Sequence, residues 1–155
     1  SYKWCNGSYN TLTKYNNSSS YGTVDNKTTP DSYDDAARAN WGGSWRMPTY
    51  TELTELYATK SNTTDYTWEW TAVGGHNGWK ITSKKTGTSG NYIFLPAAGY
   101  RYGTSLSSQG STGDYWSSSL IEDTPGSAWD LYFLSGVAYM DYYARFCGYS
   151  VRPVQ

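Results

Sequence analysis

The sequence predicts an α+β fold in which two helices are followed by a mostly antiparallel sheet with long loops. Two observations indicate this class. Helix-start signals occur before residue 60, and short strand-like segments separated by turns rich in Gly and Ser fill the rest of the chain. A chain of 155 residues suffices for one domain with its own core, so we expect a single domain over residues 1–155. Because the chain begins with Ser1, we also expect it to be the C-terminal part of a longer protein.

Capping residues mark both predicted helices. In the first, residues 30–32 (PDS) provide an N-cap at Ser32, alanine-rich residues follow, and residues 42–43 (GG) end the helix. The second predicted helix follows Pro48, and its Thr49 and Glu52 form a capping box. Its apolar residues recur at helical spacing, at Leu53, Leu56 and Tyr57.

Strands are predicted where aromatic and β-branched residues alternate with polar ones, or form short apolar runs between turns. Alternation places Glu69 on the opposite face from Trp68 and Trp70, so we expect Glu69 to be exposed. Residues 74–78 (GGHNG) are predicted to be a turn. The predicted strands cover residues 2–4, 66–73, 79–82, 91–96, 114–118, 128–133 and 149–154.

The composition excludes two classes of partner. Lys and Arg number 12 against 13 Asp and Glu, which leaves a net charge of −1 and no basic surface for nucleic acid or anionic lipid. No apolar run reaches the length of a membrane span, so membrane insertion is not expected. The aromatic content is unusual, with 8 Trp and 17 Tyr but 3 Phe. Tyr and Trp combine apolar area with a polar tip and are typical of interfaces.

No catalytic motif is recognisable in the sequence. The one histidine, His76, lies in a glycine-rich turn, and no pair of acids or nucleophile with a base is evident. Cys5 and Cys147 have no metal-ligand spacing, and either form a disulfide between the two ends of the chain or are two unrelated thiols. We therefore predict a protein that is not an enzyme and that has no cofactor and no metal site.

A binding surface is predicted in the last third of the chain. Tyrosines are dense between residues 132 and 149 and are interleaved with Ser, Gly and Asp, a mixture typical of antibody binding loops. A strand with alternate tyrosines buried explains some of them, but not the adjacent pair Tyr142 and Tyr143 followed by Ala144. We therefore favour an exposed cluster over a purely structural one.

Four segments, taken in order, carry a resemblance to a known family. They are residues 41–49 (WGGSWRMPT), 94–101 (FLPAAGYR), 113–119 (GDYWSSS) and 150–154 (SVRPV). Together they resemble the Fibrobacter major paralogous domain family of bacterial surface and phage proteins, in particular the variable proteins of diversity-generating retroelements. The resemblance implies a C-type-lectin-like fold with two helices packed on a twisted antiparallel sheet. It also implies that Trp41, Trp45 and Trp116 lie in the core.

In the proteins that this chain resembles, mutagenic reverse transcription rewrites a C-terminal segment, chiefly at asparagine codons. The corresponding variable region here is residues 113–152, and its residues between Val137 and Ser150 that differ from the fixed pattern are all reachable from such codons, whereas Trp129 is not. The resemblance and the tyrosine cluster together predict a ligand-binding face that comprises Asp114, Trp129, Asp130, Tyr132, Tyr139, Asp141, Tyr142, Tyr143, Ala144, Phe146, Cys147 and Tyr149.

The predicted function is recognition without catalysis. The resemblance implies an extracellular receptor-binding domain, at a phage tail tip or in a bacterial surface adhesin, whose partner is a cell-surface protein or glycan. Two alternatives stay open: a carbohydrate-binding module with Trp and Tyr as sugar-stacking platforms, and a non-catalytic structural domain of a surface protein. The cysteine pair of formylglycine-generating enzymes and the calcium-dependent sugar motif of C-type lectins are absent, so neither activity is carried over.

Overall fold

Strands predominate over helices in the computed structural model, which describes residues 3–155. The helices are α1 (Ala36–Trp41) and α2 (Tyr50–Ala58), and short 3-10 turns cover Ser19–Tyr21 and Thr59–Ser61. The strands are β1 (Tyr66–Val73), β2 (His76–Ser83), β3 (Tyr92–Pro96), β4 (Tyr100–Tyr102), β5 (Ser105–Ser107), β6 (Thr112–Leu120), β7 (Ser127–Leu134) and β8 (Val137–Ala144). Among the described residues, no helix is long and apolar enough to cross a membrane.

The strands form three separate antiparallel sheets. The first sheet has the order β1-β2-β3, the second is the hairpin β4-β5, and the third has the order β6-β7-β8. Helix α2 packs against all three strands of the third sheet, whereas α1 makes no comparable contact with a strand. The predicted α+β, C-type-lectin-like arrangement of two helices on one sheet is therefore wrong. The fold is mostly β, and one helix packs on one of three small sheets.

Helix α1 is too short to form a layer because its cap lies later than predicted. Asp35, not Ser32, is the N-cap, and one of its carboxylate oxygens accepts the N–H groups of Ala37 and Arg38 at 2.9 and 3.0 Å. Gly42, in the left-handed region at φ 71°, ends the helix as predicted. Only six residues remain between these two signals.

Helix α2 confirms the prediction made from its capping residues. The Thr49 side chain accepts the Glu52 N–H, and the Glu52 side chain accepts the Thr49 N–H. Arg46 donates to both carboxylate oxygens of Glu52 at 2.7 and 2.6 Å, which fixes the chain that enters the helix. Leu53, the next residue of the helix, is buried in the core.

The hairpin of β1 and β2 also follows the local signals. The predicted strand at residues 66–73 is β1, Glu69 is exposed, and residues 74–75 form the turn with φ values of 59° and 83°. Gly78, however, lies inside β2 rather than in the turn. A Cβ there would lie 2.2 Å from the carbonyl oxygen of Leu95, so the close approach of β3 requires glycine.

Other predicted elements are wrong at the chain ends. Residues 149–154 form no strand but isolated bridges, from Tyr115 to Ser150 and from Arg46 to Val154. Of the predicted strand at residues 2–4, Tyr2 lies outside the described residues, and residues 3–4 are in turns. Strands β4, β5 and β8 have no predicted counterpart. Trp41, expected in the core, is 60% exposed.

The core lies on one face of the third sheet, which we call the inner face. Leu131 and Phe133 of β7 are fully buried there and contact α2 and the first sheet. The Phe133 ring stacks on Tyr115 at 5.7 Å between ring centroids and meets Trp70 edge-on at 6.3 Å. It also lies directly over Gly113 of β6, where a Cβ would come within 2.0 Å of the ring.

The N-terminal segment, residues 3–35, has little regular secondary structure and is held by Arg145. This arginine directly follows β8 and is 2% exposed. Its guanidinium donates to the carbonyl oxygens of Tyr15 at 2.8 Å and Pro125 at 2.6 Å. The Asn17 amide donates to the Glu122 carbonyl at 2.8 Å. The segment is therefore fixed at the end of the third sheet that carries the turn between β6 and β7.

Replacing Gly113 with Ala tests the packing of Phe133. The added methyl group meets the ring, so we expect Gly113→Ala to lower the free energy of unfolding by about 1–3 kcal/mol. Chemical denaturation measures this change, and the exposed Ser111→Ala serves as the neighbouring control. If the ring is the cause, Gly113→Ala combined with Phe133→Leu should be less destabilised than the sum of the two single variants. Strict additivity would contradict this account.

Candidate binding surface

The register of the third sheet defines a second face, opposite the core, which we call the outer face. Because side chains alternate along a strand, every residue next to a buried inner-face residue of β7 points outward. Asp130 lies directly opposite Asp141 of β8, and Tyr132 lies opposite Tyr139. The outer face is formed by Asp114, Trp116, Ala128, Asp130, Tyr132, Tyr139, Asp141 and Tyr143.

Three of these residues form an aspartate cluster, Asp114, Asp130 and Asp141, with one member on each strand. Asp114 and Asp130 are 4% and 2% exposed, and Asp141 is half-buried. Asp141 accepts the backbone N–H of Tyr142 at 2.9 Å, whereas Oδ1 of Asp130 has no hydrogen-bond partner among the described residues. None of the three forms a salt bridge within residues 3–155. Buried acids without partners are unusual and costly.

Burial and mutual repulsion change the titration of the aspartate cluster. Burial raises the pKa of Asp130 to about 8, and the nearby Asp114 and Asp141 act in the same direction. Burial and Asp141 also raise the pKa of Asp114 to about 6, against a weak hydrogen bond from Thr112. At neutral pH, therefore, Asp130 is largely protonated in the free protein, and the cluster takes up a proton instead of holding three negative charges.

Aromatic rings border the aspartate cluster on two sides. On one side, Tyr132 and Tyr139 pack across the strand pair with ring centroids 5.2 Å apart. On the other side, the ring of Tyr149, from the C-terminal segment, stacks on that of Trp116 with the centroids 4.2 Å apart. The centroids of the Tyr149 and Tyr143 rings are 6.1 Å apart. Burial raises the pKa of the Tyr149 hydroxyl, with contributions from Asp114 and Asp130, which indicates that Tyr149 faces the acids.

The structure brings most of the predicted site residues to this face, but not all of them. Trp129 and Tyr142 point to the inner face. There the centroid of the Trp129 ring lies 4.7 Å from that of Tyr50 in α2 and 5.6 Å from that of Tyr142. Ala144 has the same inward orientation. Phe146, beyond the strand, packs on Tyr102 at 5.2 Å.

Two contributors were missed or misassigned by the sequence analysis. Trp116, expected in the core, is half-buried on the outer face, and alternation with the buried Tyr115 would have revealed this. Tyr100 of β4 lies 6.1 Å from Tyr149 and belongs to the same aromatic border. No local signal identifies Tyr100, because its position depends on the backbone pairing of Arg101 with Gly148.

A cavity of about 420 Å³ adjoins the outer face beneath the N-terminal segment. Its lining includes Trp4, Tyr33 and Met47 on one side and Trp116, Cys147 and Tyr149 on the other. Burial raises the pKa of the Cys147 thiol to about 11, and Asp114 adds to the effect. The thiol is therefore protonated at neutral pH and is a poor nucleophile. Trp116 and Tyr149 line the cavity and also border the aspartate cluster.

The aspartate cluster forms no ion pair within residues 3–155, and these residues contain no group of three or more acidic, His or Cys side chains placed to hold a metal ion. What the outer face offers is buried negative charge, exposed aromatic area and a rigid sheet beneath both. Aromatic residues are enriched at protein interfaces, and a few convergent polar groups fix the orientation of a bound ligand.

Fold and surface together define a mostly β protein with an acidic and aromatic face on a three-stranded sheet. Residues 77–154, just over half of the 155-residue chain, match a family model described as Domain of unknown function (DUF8237), and the chain belongs to this family. The matched region begins within β2 and ends at Val154, so it contains the whole outer face. No curated protein and no solved structure matches the chain.

The raised pKa of Asp130 predicts how stability depends on pH. The unfolded chain loses this proton near pH 4 and the folded chain near pH 8, so the free energy of unfolding should fall as the pH rises between these values. Asparagine resembles the protonated acid and cannot ionise. We therefore expect Asp130→Asn to be more stable than the wild type at pH 8, by roughly 5 kcal/mol for a shift of about four pKa units, and equally stable near pH 4.

Denaturant titrations at pH 4.5, 6 and 8 measure this difference. Asp123→Asn, which changes an exposed aspartate in the turn between β6 and β7, is the matched control and should follow the wild-type profile. Parallel pH profiles for Asp130→Asn and the wild type would show that Asp130 does not titrate in this range.

Proposed function

We propose that this chain is a non-catalytic recognition domain that binds a cell-surface receptor through the outer face of the third sheet. The observation that carries the proposal is the clustering of exposed tyrosines, Tyr139 and Tyr143, around acids that have no ion-pair partner in residues 3–155. Rigid aromatic side chains supply contact area at a low cost in conformational entropy. Such residues commonly dominate the energetics of an interface.

The same proposal includes the setting in which the domain acts. A receptor-binding tip of a phage tail fibre, or a bacterial surface adhesin, would present this face outside the cell. The support is the segregation of roles within the domain. The inner face, α2 and the first sheet form the core, so side chains on the outer face can change without changing the packing of Leu131 or Phe133.

Diversification by a retroelement is the second part of the proposal. Tyr139, Tyr142 and Tyr143 are 41%, 52% and 49% exposed, as expected of positions that tolerate replacement. Ala138 and Cys147, which are also reachable from asparagine codons, are buried and are less suited to it.

Tyr142 provides a matched control for the receptor-binding surface. It has nearly the same exposure as Tyr143 but lies on the opposite side of β8. Loss of both outer-face anchors removes most of the contact area, so we expect Tyr139→Ala/Tyr143→Ala to bind cells at least about tenfold more weakly and Tyr142→Ala to bind as the wild type does. Flow cytometry of fluorescently labelled protein on a panel of gut bacteria measures binding. Equal loss in Tyr142→Ala would contradict the choice of face.

DNA sequencing downstream of the gene tests diversification directly. We expect a near-copy of the last third of the coding sequence beside a reverse transcriptase gene, with adenines in the copy wherever the two differ. The mismatches should fall on the codons of exposed residues such as Tyr139 and Tyr143, and not on those of Leu131 and Phe133, because replacement there removes core packing. Absence of such a copy would remove the retroelement from the proposal and leave the receptor-binding face as a fixed surface.

A further inference from the structure

We propose that the outer face binds an alkylammonium group, of the kind carried by a lysine side chain, at the aspartate cluster. This inference rests on the proposed recognition function and names the chemistry of the ligand. The ammonium group would lie beside the half-buried Asp141, which forms the open side of the cluster, and above Asp130.

The aspartate cluster has no positively charged partner within residues 3–155. Three carboxyl groups share one face of three adjacent strands, and like groups directly opposite in a strand pair repel each other when ionised. The buried Oδ1 of Asp130 accepts no hydrogen bond in residues 3–155. An ammonium group supplies three hydrogen-bond donors and one positive charge, which are what this group of acceptors lacks.

Aromatic rings border the acids on two sides. Ammonium groups are attracted to the faces of such rings, and aromatic cages recognise alkylated ammonium ligands. Tyr132 and Tyr139 lie on one side of the acids and Tyr149 on the other. The exposed part of Tyr139 and Tyr143 would contact the alkyl chain that leads to the charge.

At a second site in the same chain, acids and aromatic rings already hold an ammonium group, that of Lys14. The Nζ of Lys14 lies 2.8 Å from Asp31 and 2.5 Å from Asp34. Burial alone would lower the pKa of Lys14, but its hydrogen bonds to these acids outweigh burial and raise it. The Lys14 ammonium also lies 4.6 to 5.1 Å from the ring centroids of Trp4, Tyr15 and Tyr33.

The outer face repeats these components without the cation. In the Lys14 site, the Lys14 ammonium contacts two acids and three rings, and Lys3 and Lys27 also pair with these acids. No salt bridge within residues 3–155 involves an acid of the outer face. A metal ion fits less well, because the described acids are not grouped at metal-ligand distances. The geometry therefore favours an organic cation.

The pH dependence of binding follows from the groups around Asp130. Those that face it are Asp114 from β6, Asp141 from β8, and Tyr149 from the C-terminal segment. None of these groups is basic, so no positive charge of the chain favours the ionised form of Asp130. A bound ammonium group favours that form, and its binding therefore releases the proton that Asp130 holds at neutral pH. Binding should therefore be tighter at pH 8 than at pH 5.5, by about fivefold or more.

Titration of the whole chain with n-butylammonium chloride, followed by NMR of the backbone amides, tests the inference. Sodium chloride at matched ionic strength controls for screening, and n-butanol controls for the alkyl chain. We expect saturable shifts at Tyr139, Asp141 and Tyr143 with the ammonium probe alone. Asp130→Asn should weaken binding by about fivefold or more, and Tyr142→Ala should leave it within about twofold. If Asp130→Asn does not fold, Asp141→Asn replaces it, since Asp141 is only half-buried.

Three results would overturn the inference: equal shifts with n-butanol, unchanged binding in Asp130→Asn and Asp141→Asn, or saturation by calcium chloride at a lower concentration than the ammonium probe. The outcomes also separate this inference from the proposed function. If Asp130→Asn binds cells as tightly as the wild type, the ammonium site has no part in receptor binding, and the receptor-binding face stays as proposed. If the ammonium probe binds but cell attachment does not depend on Tyr139 and Tyr143, the receptor function is wrong and the ammonium site remains.

Discussion

The alternation of β7 between a fully buried face and a polar face constrains the rest of the structure. Leu131 and Phe133 must point into the core beneath α2 and the first sheet, so Asp130 and Tyr132 must point away from it. A shift of one residue in register would bury the acids in the core and expose the ring of Phe133. Gly113 reinforces the register, because it is the one position on the facing strand over which that ring can lie. The chemistry of the outer face is thus a direct consequence of the core.

The N-terminal segment then divides the outer face into two parts. Arg145 joins Tyr15 of this segment to Pro125 in the turn between β6 and β7. The segment therefore covers that end of the sheet and encloses the cavity there. The end that carries Tyr132 and Tyr139 stays uncovered. Acids that are buried but lack partners lower stability, and a fold selected for stability alone would replace Asp130 with a neutral residue. Asp130 and the exposed Tyr139 lie together at this uncovered end.

Local signals in the sequence predicted local structure well and the assembly poorly. The Thr49 capping box, the limits of β1 and the glycine turn after it were predicted because each depends on neighbouring residues. The fold class was wrong because α1 ends after six residues and because β8, rich in tyrosine on both sides, lacks the alternation that indicates a strand. The site residues were predicted from the family resemblance and the tyrosine cluster, but which of them share a face depends on strand pairing. Tyr149, which faces the aspartate cluster, lies on the C-terminal segment outside the sheet.

The two acid and aromatic sites differ in a way that bears on specificity. In the Lys14 site the acids lie within twenty residues of the lysine, on the irregular N-terminal segment, and the cation that they hold belongs to the chain. On the outer face the acids come from three paired strands, and the two deepest, Asp114 and Asp130, are shielded from solvent while Tyr139 and Tyr143 at the border are not. Replacement of the border residues would change the shape that surrounds the charge without moving the charge itself. Under the proposed function, such a division would let one rigid sheet keep an ammonium subsite while the contacts around it select among receptors.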